Sequence, residues 1–143
     1  EMMKDFVERH RNKSASTEDF VRVANEHFAR SPIGRKYNLK DLNWFFTQWV
    51  YNSEIPSYAV EHTISSNPDG SATVKGTVQQ TGVPEGFFMP IPVSFHFGGN
   101  QYGNGTIHAF GPNSNFEIKL PKKPQKFEVD PNKWLVVDKL SVK

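Results

Sequence analysis

The sequence SYAVEHTISSNPDGSATVKGTVQQT, residues 57–81, decides the fold of this chain. Apolar and polar residues alternate on both sides of a central Asn67-Pro68-Asp69-Gly70 segment. The positions on one side of this alternation are Tyr58, Val60, His62, Ile64, Val74, Gly76 and Val78. Asn-Pro-Asp-Gly between two alternating runs is a strong signal for a tight turn. The stretch therefore predicts an antiparallel hairpin that has one apolar face.

The rest of the C-terminal part repeats this period-two pattern in shorter runs. The runs are Val93/Phe95/Phe97, Ile107/Ala109, Phe116/Ile118/Leu120, Phe127/Val129 and Leu135/Val137. Clusters of Gly, Asn and Pro separate them at residues 81–92, 98–105, 111–115 and 130–132. About seven short strands at this spacing predict an antiparallel, immunoglobulin-like β-sandwich over residues 57–143. The side chains predicted to face inward are Tyr58, Val60, Val74, Val78, Phe95, Phe97, Ile107, Phe116 and Ile118.

Residues 1–56 show helical periodicity instead. The end of one helix is predicted over residues 1–11, from Met2, Met3, Phe6 and Val7. Ser16, with Asp19 three positions later, predicts the capping box of a second helix, which Ser31-Pro32 ends. A third helix is expected to open between Asn38 and Asp41 and to present Leu42, Phe45, Phe46 and Trp49 as an apolar stripe. The predicted fold class is α+β, with about three helices in residues 1–56 and the sandwich in 57–143.

Composition excludes several classes of protein. The 143 residues are 36% hydrophobic and 22% charged, which is typical of a globular chain. The net charge is +2 and is spread evenly over both parts, which argues against a nucleic-acid surface. The absence of Cys excludes disulfides, thiolate catalysis and Cys-based zinc sites. No apolar run approaches the roughly 20 residues that span a bilayer.

Three histidines on predicted strands are the candidate metal ligands. His62, His96 and His108 would form a three-His zinc site if the fold brought them together. The sequence contains no H-E-x-x-H motif, and the nearest string has only His62. Histidines scattered over strands are more often structural or exposed, and we favour that interpretation.

Candidate nucleophiles and acid–base groups lie in ordinary contexts. Ser94 and Ser141 sit in strand patterns without a G-x-S-x-G motif. Glu117, Glu128 and Asp130 are spaced like surface residues, and Asp130-Pro131-Asn132 predicts a turn. The strings Gly98-Gly99-Asn100 and Gly103-Asn104-Gly105 are both interpreted as turns between strands. No catalytic, cofactor-binding or metal-binding residue is therefore assigned to this chain.

Two other clusters admit a structural and a functional interpretation. The aromatic run Trp44, Phe45, Phe46, Trp49 and Tyr51 could form a ligand platform, but at helical spacing it is more often core. A helix with this many aromatic side chains requires a large apolar surface to pack against. The lysines 119, 122, 123 and 126 are interpreted as a strand edge kept soluble by charge.

Several strings together resemble one enzyme family. They are STEDF at 16–20, DLNWFFTQWV at 41–50, IP at 55–56, VQQ at 78–80, FFMPIPV at 87–93 and FEVDPN at 127–132. In this order they are similar to the end of the catalytic domain and the following β-sandwich in zinc aminopeptidases of the aminopeptidase N type. The resemblance runs from about Phe6 to Leu140, and its most specific motif is W-F-F-x-Q-W at 44–49. One departure is NSEIP at 52–56, where the family often has Gly before the Pro.

The resemblance implies a parent enzyme whose catalytic centre lies outside these residues. In the family, zinc is held by H-E-x-x-H and a downstream Glu, a Tyr assists, and all of them precede the helices seen here. In the implied parent, zinc would activate a water for attack on the peptide carbonyl, with the Glu of the motif as general base. Residues 1–56 would then complete a catalytic domain whose upstream part, the expected partner, precedes Glu1-Met2-Met3. Peptides would be the substrate of the parent.

Two further expectations accompany this hypothesis. Three short helices cannot enclose all their apolar side chains, so we expect either self-association through residues 1–30 or poor order of that segment in solution. The alternative function is a non-catalytic β-sandwich module that binds carbohydrate or protein.

Overall fold

The structure, a computed structural model, describes residues 1–36 and 39–143. The side chains of residues 33 and 36 are not described. Contacts divide the chain into two compact units, Glu1–Ser53 and Glu54–Lys143. The first unit is helical and the second is built of strands, which confirms the predicted α+β class.

Four helices form the described part of the first unit. They are α1 (Met2–Arg9), α2 (Thr17–Ala29), α3 (Pro32–Lys36) and α4 (Asn43–Trp49). Ser16 caps α2 as predicted: its hydroxyl accepts from the backbone N–H of Asp19, whose carboxylate accepts from the backbone N–H of Ser16. The short helix α3 was not predicted. Proline lacks a backbone N–H and suits the first turn of a helix, so Pro32 begins α3 instead of only ending α2.

A chain of aromatic rings connects the helices of the first unit. Phe6 of α1 meets Phe20 of α2 edge to face at 5.1 Å between ring centroids, and Phe20 meets Phe46 of α4 in the same way at 6.0 Å. The stripe predicted on α4 is only partly right, because Phe46 is buried while Phe45 is exposed. The predicted opening of this helix at Asn38 lies outside the described residues, and α4 begins at Asn43.

An ion network links α1 to α2 at their surface. The guanidinium of Arg9 lies 2.7 Å from carboxylate oxygens of both Asp5 and Glu26, and Nε2 of His27 lies 2.8 Å from Asp5. The hydrogen bonds from His27 and then from Arg9 lower the pKa of the Asp5 carboxyl below its usual 3.8.

Seven strands in two sheets form the second unit. They are β1 (Ser57–Ser66), β2 (Ala72–Thr81), β3 (Phe88–His96), β4 (Tyr102–Phe110), β5 (Asn113–Leu120), β6 (Lys126–Val129) and β7 (Leu140–Val142). One sheet has the order β5-β2-β1-β7 and the other β4-β3-β6. All pairs are antiparallel except β1 with β7, which is parallel. The β-sandwich is confirmed, and its immunoglobulin-like identity stays a prediction.

The core lies between the inner faces of the two sheets. All nine side chains predicted to face inward contribute to it. Six of them are buried, and Phe97, Phe116 and Ile118 are half-buried against the others. The predicted turn closes the β1–β2 hairpin: Gly70 adopts φ +83° and its N–H donates to Asn67 at 3.1 Å.

Strand β3 begins earlier than predicted. Residues 88–92 were assigned to a loop because they contain Pro90 and Pro92, but they pair with β4. On its other side β3 pairs with β6 only over residues 93–96. Proline cannot donate to a ladder, and it is tolerated where one side of a strand has no partner.

Two more segments correct the predicted strands. Gly103 and Gly105 were expected in a turn, yet they lie in β4, where a Cβ would come within 3.1 Å of Phe97 and 3.3 Å of Phe95. These glycines make room for large rings in the core.

Leu135 and Val137 were predicted to form a strand. They pack against the core from the segment that crosses between the sheets, and the last strand is β7.

Asp130 shapes the start of that crossing segment. It has φ +48° and is buried, and its carboxylate accepts from the backbone N–H groups of Trp134 at 2.8 Å and Leu135 at 3.1 Å. The turn predicted at residues 130–132 is therefore held by a side-chain carboxylate. The expectation that Asp130 lies at the surface is therefore wrong, because its carboxylate is buried on these two N–H groups and has a structural role.

Candidate functional site

The outer face of the three-stranded sheet carries a group of polar and aromatic side chains. Alternation along each strand places Phe95, Phe127 and Gly103 toward the core, so their neighbours point the other way. The register aligns Ser94 with Asn104 and Glu128, and His96 with Tyr102 and Lys126. We call these six residues the outer-face cluster: Ser94, His96, Tyr102, Asn104, Lys126 and Glu128.

Glu128 is the centre of this cluster. Its Oε2 lies 2.6 Å from Nε2 of His96, and its Oε1 accepts from Nζ of Lys126 at 2.6 Å. The hydrogen bond and the charge of Lys126, followed by His96, hold the pKa of the Glu128 carboxyl below its ordinary value. Glu128 is therefore ionised at neutral pH and serves as a hydrogen-bond acceptor.

Tyr102 provides the aromatic part of the cluster. Its ring meets the His96 ring in a T-shaped contact with 4.4 Å between centroids. This contact supports the ring, while the residue remains 60% exposed. Ser94 differs from Tyr102: it is buried, and its Oγ has no hydrogen-bond partner.

The serine candidates do not form a nucleophile–base pair. Ser94 and His96 share a face of β3, but Oγ of Ser94 donates to no base, and Nε2 of His96 contacts Glu128 instead. Ser141 lies in the short edge strand β7 and is exposed.

The three candidate metal ligands are dispersed by the fold. His62 belongs to the four-stranded sheet, where Nδ1 lies 2.8 Å from the backbone oxygen of Lys143 and the ring packs on Phe127. His96 and His108 lie at opposite ends of the β3–β4 pair. Over residues 1–36 and 39–143, no three His, Asp or Glu side chains converge on a possible metal position. His62, His96 and His108 therefore do not form the three-His zinc site.

The other carboxylate and lysine candidates make surface contacts. Glu117 pairs with Lys75 at 3.0 Å on the four-stranded sheet. Lys122 donates to Gln101 at 2.6 Å and lies 5.6 Å from the centroid of the Phe97 ring. Lys119 points outward from β5 and is exposed. Lys126, interpreted from sequence only as a solubilising charge, belongs to the outer-face cluster.

A shallow depression of about 770 Å³ lies on the four-stranded sheet. Its rim alternates in charge, with Lys143 and Glu61 in one row and Lys75 and Glu117 in the next. Thr63, Thr77 and Asn115 complete the polar surface, and Phe116 is the aromatic lining residue. This surface is open and its charges balance one another.

The helical unit exposes apolar side chains. On α1, Met3 and Val7 are 57% and 59% exposed. They are one helical turn apart and share a face. On and just after α4, Phe45, Val50 and Tyr51 are also exposed. None of the helices in the described residues is long and apolar enough to cross a membrane.

Sequence reasoning missed Tyr102 and Asn104 as potential site residues. Asn104 was assigned to a turn, and Tyr102 lay in the same predicted connection. The only signal in the sequence was the alternation of Tyr102, Asn104 and Thr106 with small residues, which is obscured by the glycines. No protein-family model, no curated protein and no solved structure matches this chain.

Proposed function

We propose that this chain is a non-catalytic part of a zinc-dependent aminopeptidase. The helical unit would complete the packing of the catalytic domain, and the sandwich would be attached as a scaffold. The observation that carries this proposal is the W-F-F-x-Q-W motif on α4, which resembles the aminopeptidase N type, together with the exposed Phe45 on that helix. When bound in the parent, zinc would activate water for hydrolysis of an N-terminal peptide bond.

The exposed apolar side chains support a packing role for the helices. Met3 and Val7 on α1 and Phe45 on α4 would each lose contact with water if another helical layer covered them. Burying one such side chain fully is worth about 1.5–3 kcal/mol. Contiguous exposed apolar surface of more than a few hundred Å² is rare in stable monomers and marks an interaction site. We propose the upstream helices of the catalytic domain as the partner.

The reading frame around this chain provides the first test. We expect it to encode H-E-x-x-H and a later Glu ahead of the helical unit. The protein that it encodes should hydrolyse aminoacyl anilides, and a chelator should abolish this activity. An intact reading frame without these ligands would contradict the proposal.

A pair of substitutions on α4 tests the packing role. In the longest protein that contains this chain, Phe45→Asp should reduce soluble yield or activity, because it places a charge in the proposed interface. Thr47→Asp is the matched control, since Thr47 is an exposed polar residue on the same helix. Equal behaviour of the two variants would show that Phe45 has no partner.

The second candidate is a sandwich module that binds carbohydrate or protein. The outer-face cluster favours it, because exposed Tyr102 lies beside ordered polar groups. The two proposed functions predict different neighbouring domains in the full gene. A binding module should be accompanied by adhesive or carbohydrate-active domains and by no zinc motif.

A further inference from the structure

We propose that the outer-face cluster is a binding subsite for a neutral sugar ring in an oligosaccharide. Tyr102 would pack on an apolar face of the sugar, and Glu128 and Asn104 would hydrogen-bond its hydroxyl groups. The proposal uses only residues of the three-stranded sheet, so it stands or falls separately from the aminopeptidase assignment.

Tyr102 provides the apolar contact that such a ligand requires. Its ring is 60% exposed and is supported by His96 at 4.4 Å. A tyrosine combines a rigid apolar ring with a polar tip, and it loses little conformational entropy on binding because it has few rotatable bonds. The C–H groups of a sugar ring form an apolar patch of similar size. The supported ring therefore offers a matching surface at a small ordering cost.

Hydrogen-bonding capacity remains beside that ring. An ionised carboxylate has about four acceptor positions, and Glu128 uses one for His96 and one for Lys126. Asn104 is exposed and supplies both a donor and an acceptor. A sugar hydroxyl, which both donates and accepts, can satisfy each of these groups.

The charge of the cluster favours a neutral ligand. Lys126 and Glu128 compensate each other at 2.6 Å, and the remaining members carry no formal charge when His96 is neutral. An acidic or basic peptide would find no net charge to pair with, whereas hydroxyl groups pair well with a fixed carboxylate. The ion pair also holds Glu128 in place before binding, which lowers the ordering cost.

The depression on the four-stranded sheet lacks this combination. The depression on the four-stranded sheet has polar groups, but its aromatic lining residue, Phe116, packs against the core. Phe110 lies on the same face as Tyr102, about 27 Å further along β4, and is 63% exposed. It is the better control because it is an exposed ring outside the outer-face cluster.

The test is a nuclear magnetic resonance titration of the whole chain with cellohexaose, laminarihexaose and mannohexaose. At least one of these should shift the backbone amides of residues 94–96, 102–106 and 126–128, with other amides unaffected. Tyr102→Ala should weaken that binding by about tenfold, while Phe110→Ala stays within about twofold of the parent. Glu128→Gln should weaken binding as well, through the lost charged acceptor.

Three outcomes would overturn the proposal. They are the absence of shifts at saccharide concentrations of about 10 mM, shifts that map to another surface, and equal losses from Phe110→Ala and Tyr102→Ala. The spectrum of each variant reports its folding directly. If Tyr102→Ala fails to fold, Asn104→Ala and Glu128→Gln decide the matter, because both residues lie at the surface. Failure of this titration would leave the aminopeptidase proposal untouched.

Discussion

Replacing Gly76 with Ala should destabilise the sandwich far more than its size suggests. Gly76 lies in β2, opposite His62 of β1 and Phe116 of β5. A Cβ at this position would overlap the carbonyl oxygen of Glu61 and lie 2.7 Å from Cζ of Phe116. The ring of Phe116 covers the glycine, and the paired β1 backbone leaves no second direction for the methyl group.

Two opposing effects determine how much Gly76→Ala changes the free energy of unfolding. Alanine is favoured over glycine inside a strand by roughly 0.5–1 kcal/mol, because the unfolded chain has less freedom to lose. Overpacking a core costs about 1–3 kcal/mol and occasionally more. One obstacle here is the backbone of a paired strand, so relief of the clash requires the β1–β2 ladder to shift. The overpacking cost should therefore lie at the upper end of its range, and we expect a net loss of about 2 kcal/mol for Gly76→Ala.

Urea unfolding followed by circular dichroism at the β-sheet band measures this loss. Gly86→Ala is the matched control, since a Cβ there meets no atom within 4 Å and the residue does not have a positive φ angle. That variant should stay within about 0.5 kcal/mol of the parent. If Gly76→Ala were as stable as Gly86→Ala, the close approach between Phe116 and β2 would be refuted.

A double variant separates the two obstacles. Phe116→Ala alone should cost about 3 kcal/mol, the lower end for a buried ring, because Phe116 is only half-buried. Adding Gly76→Ala to it should cost less than Gly76→Ala does in the parent, since the ring is already gone. The carbonyl of Glu61 remains, so the rescue is incomplete. Full additivity would show that the ring does not oppose the methyl group.

Three further predictions concern single residues. Asp130→Ala should lower the free energy of unfolding of the sandwich by about 2 kcal/mol in the same urea assay, because two backbone N–H groups lose their acceptor; Asp138→Ala, at an exposed position, should have little effect. The pKa of the Asp5 carboxyl, measured by carbon-13 NMR, should lie below 3.8. The stabilisation that ionised Asp5 gives to the packing of α1 should be complete above pH 3.8 and should be lost as the pH falls through the lower, folded-state pKa. A measured pKa at or above 3.8 would contradict the contact with His27. Sedimentation velocity on the chain alone should show concentration-dependent self-association that Val7→Glu weakens and Glu8→Gln leaves unchanged; a monomer at every concentration would contradict the exposed-face argument.

Local sequence signals predicted the hairpin and the capping box correctly. Asn67 to Gly70 closes its turn and Ser16 caps α2, because both features depend on residues within four positions of one another. The inward positions from Tyr58 to Ile118 were predictable for a similar reason. A period of two fixes which side chains share a face before any strand has found its partner.

The missed elements depend on contacts that are distant in sequence. Pro90 and Pro92 are typical of a loop in the sequence, and only the register shows that they lie in β3, where the pairing with β6 starts at Val93. In the sequence, Gly105 is typical of a turn. In the structure, Phe95 occupies the space that a side chain at position 105 would need. Proline and glycine are typical of loops, but in this chain they also lie inside strands. Their presence in the sequence therefore cannot by itself distinguish a loop from a strand.

The outer-face cluster could not have been predicted for the same physical reason. His96, Tyr102 and Glu128 come from three strands, and their contacts arise only from the pairing of β3 with both neighbours. Each residue taken singly is ordinary in an exposed strand position. Alternation indicates that they face outward, but it does not give the register. A one-residue slip of β4 would move Tyr102 to the core face and separate it from His96.

The two units differ in how completely each one buries its own apolar side chains, and this difference bears on the proposed function. In the sandwich, side chains from all seven strands close around a continuous core that includes Val60, Val74 and Phe95. In the described part of the helical unit, the buried apolar side chains are Val23, Ala24 and Phe46, while Met3, Val7 and Phe45 face solvent. A domain without a sufficient core of its own gains stability from a partner that covers its exposed face. An upstream catalytic domain would be such a partner, so its presence should protect the amides of α1 and α4 from hydrogen exchange and leave those of the sandwich core unchanged.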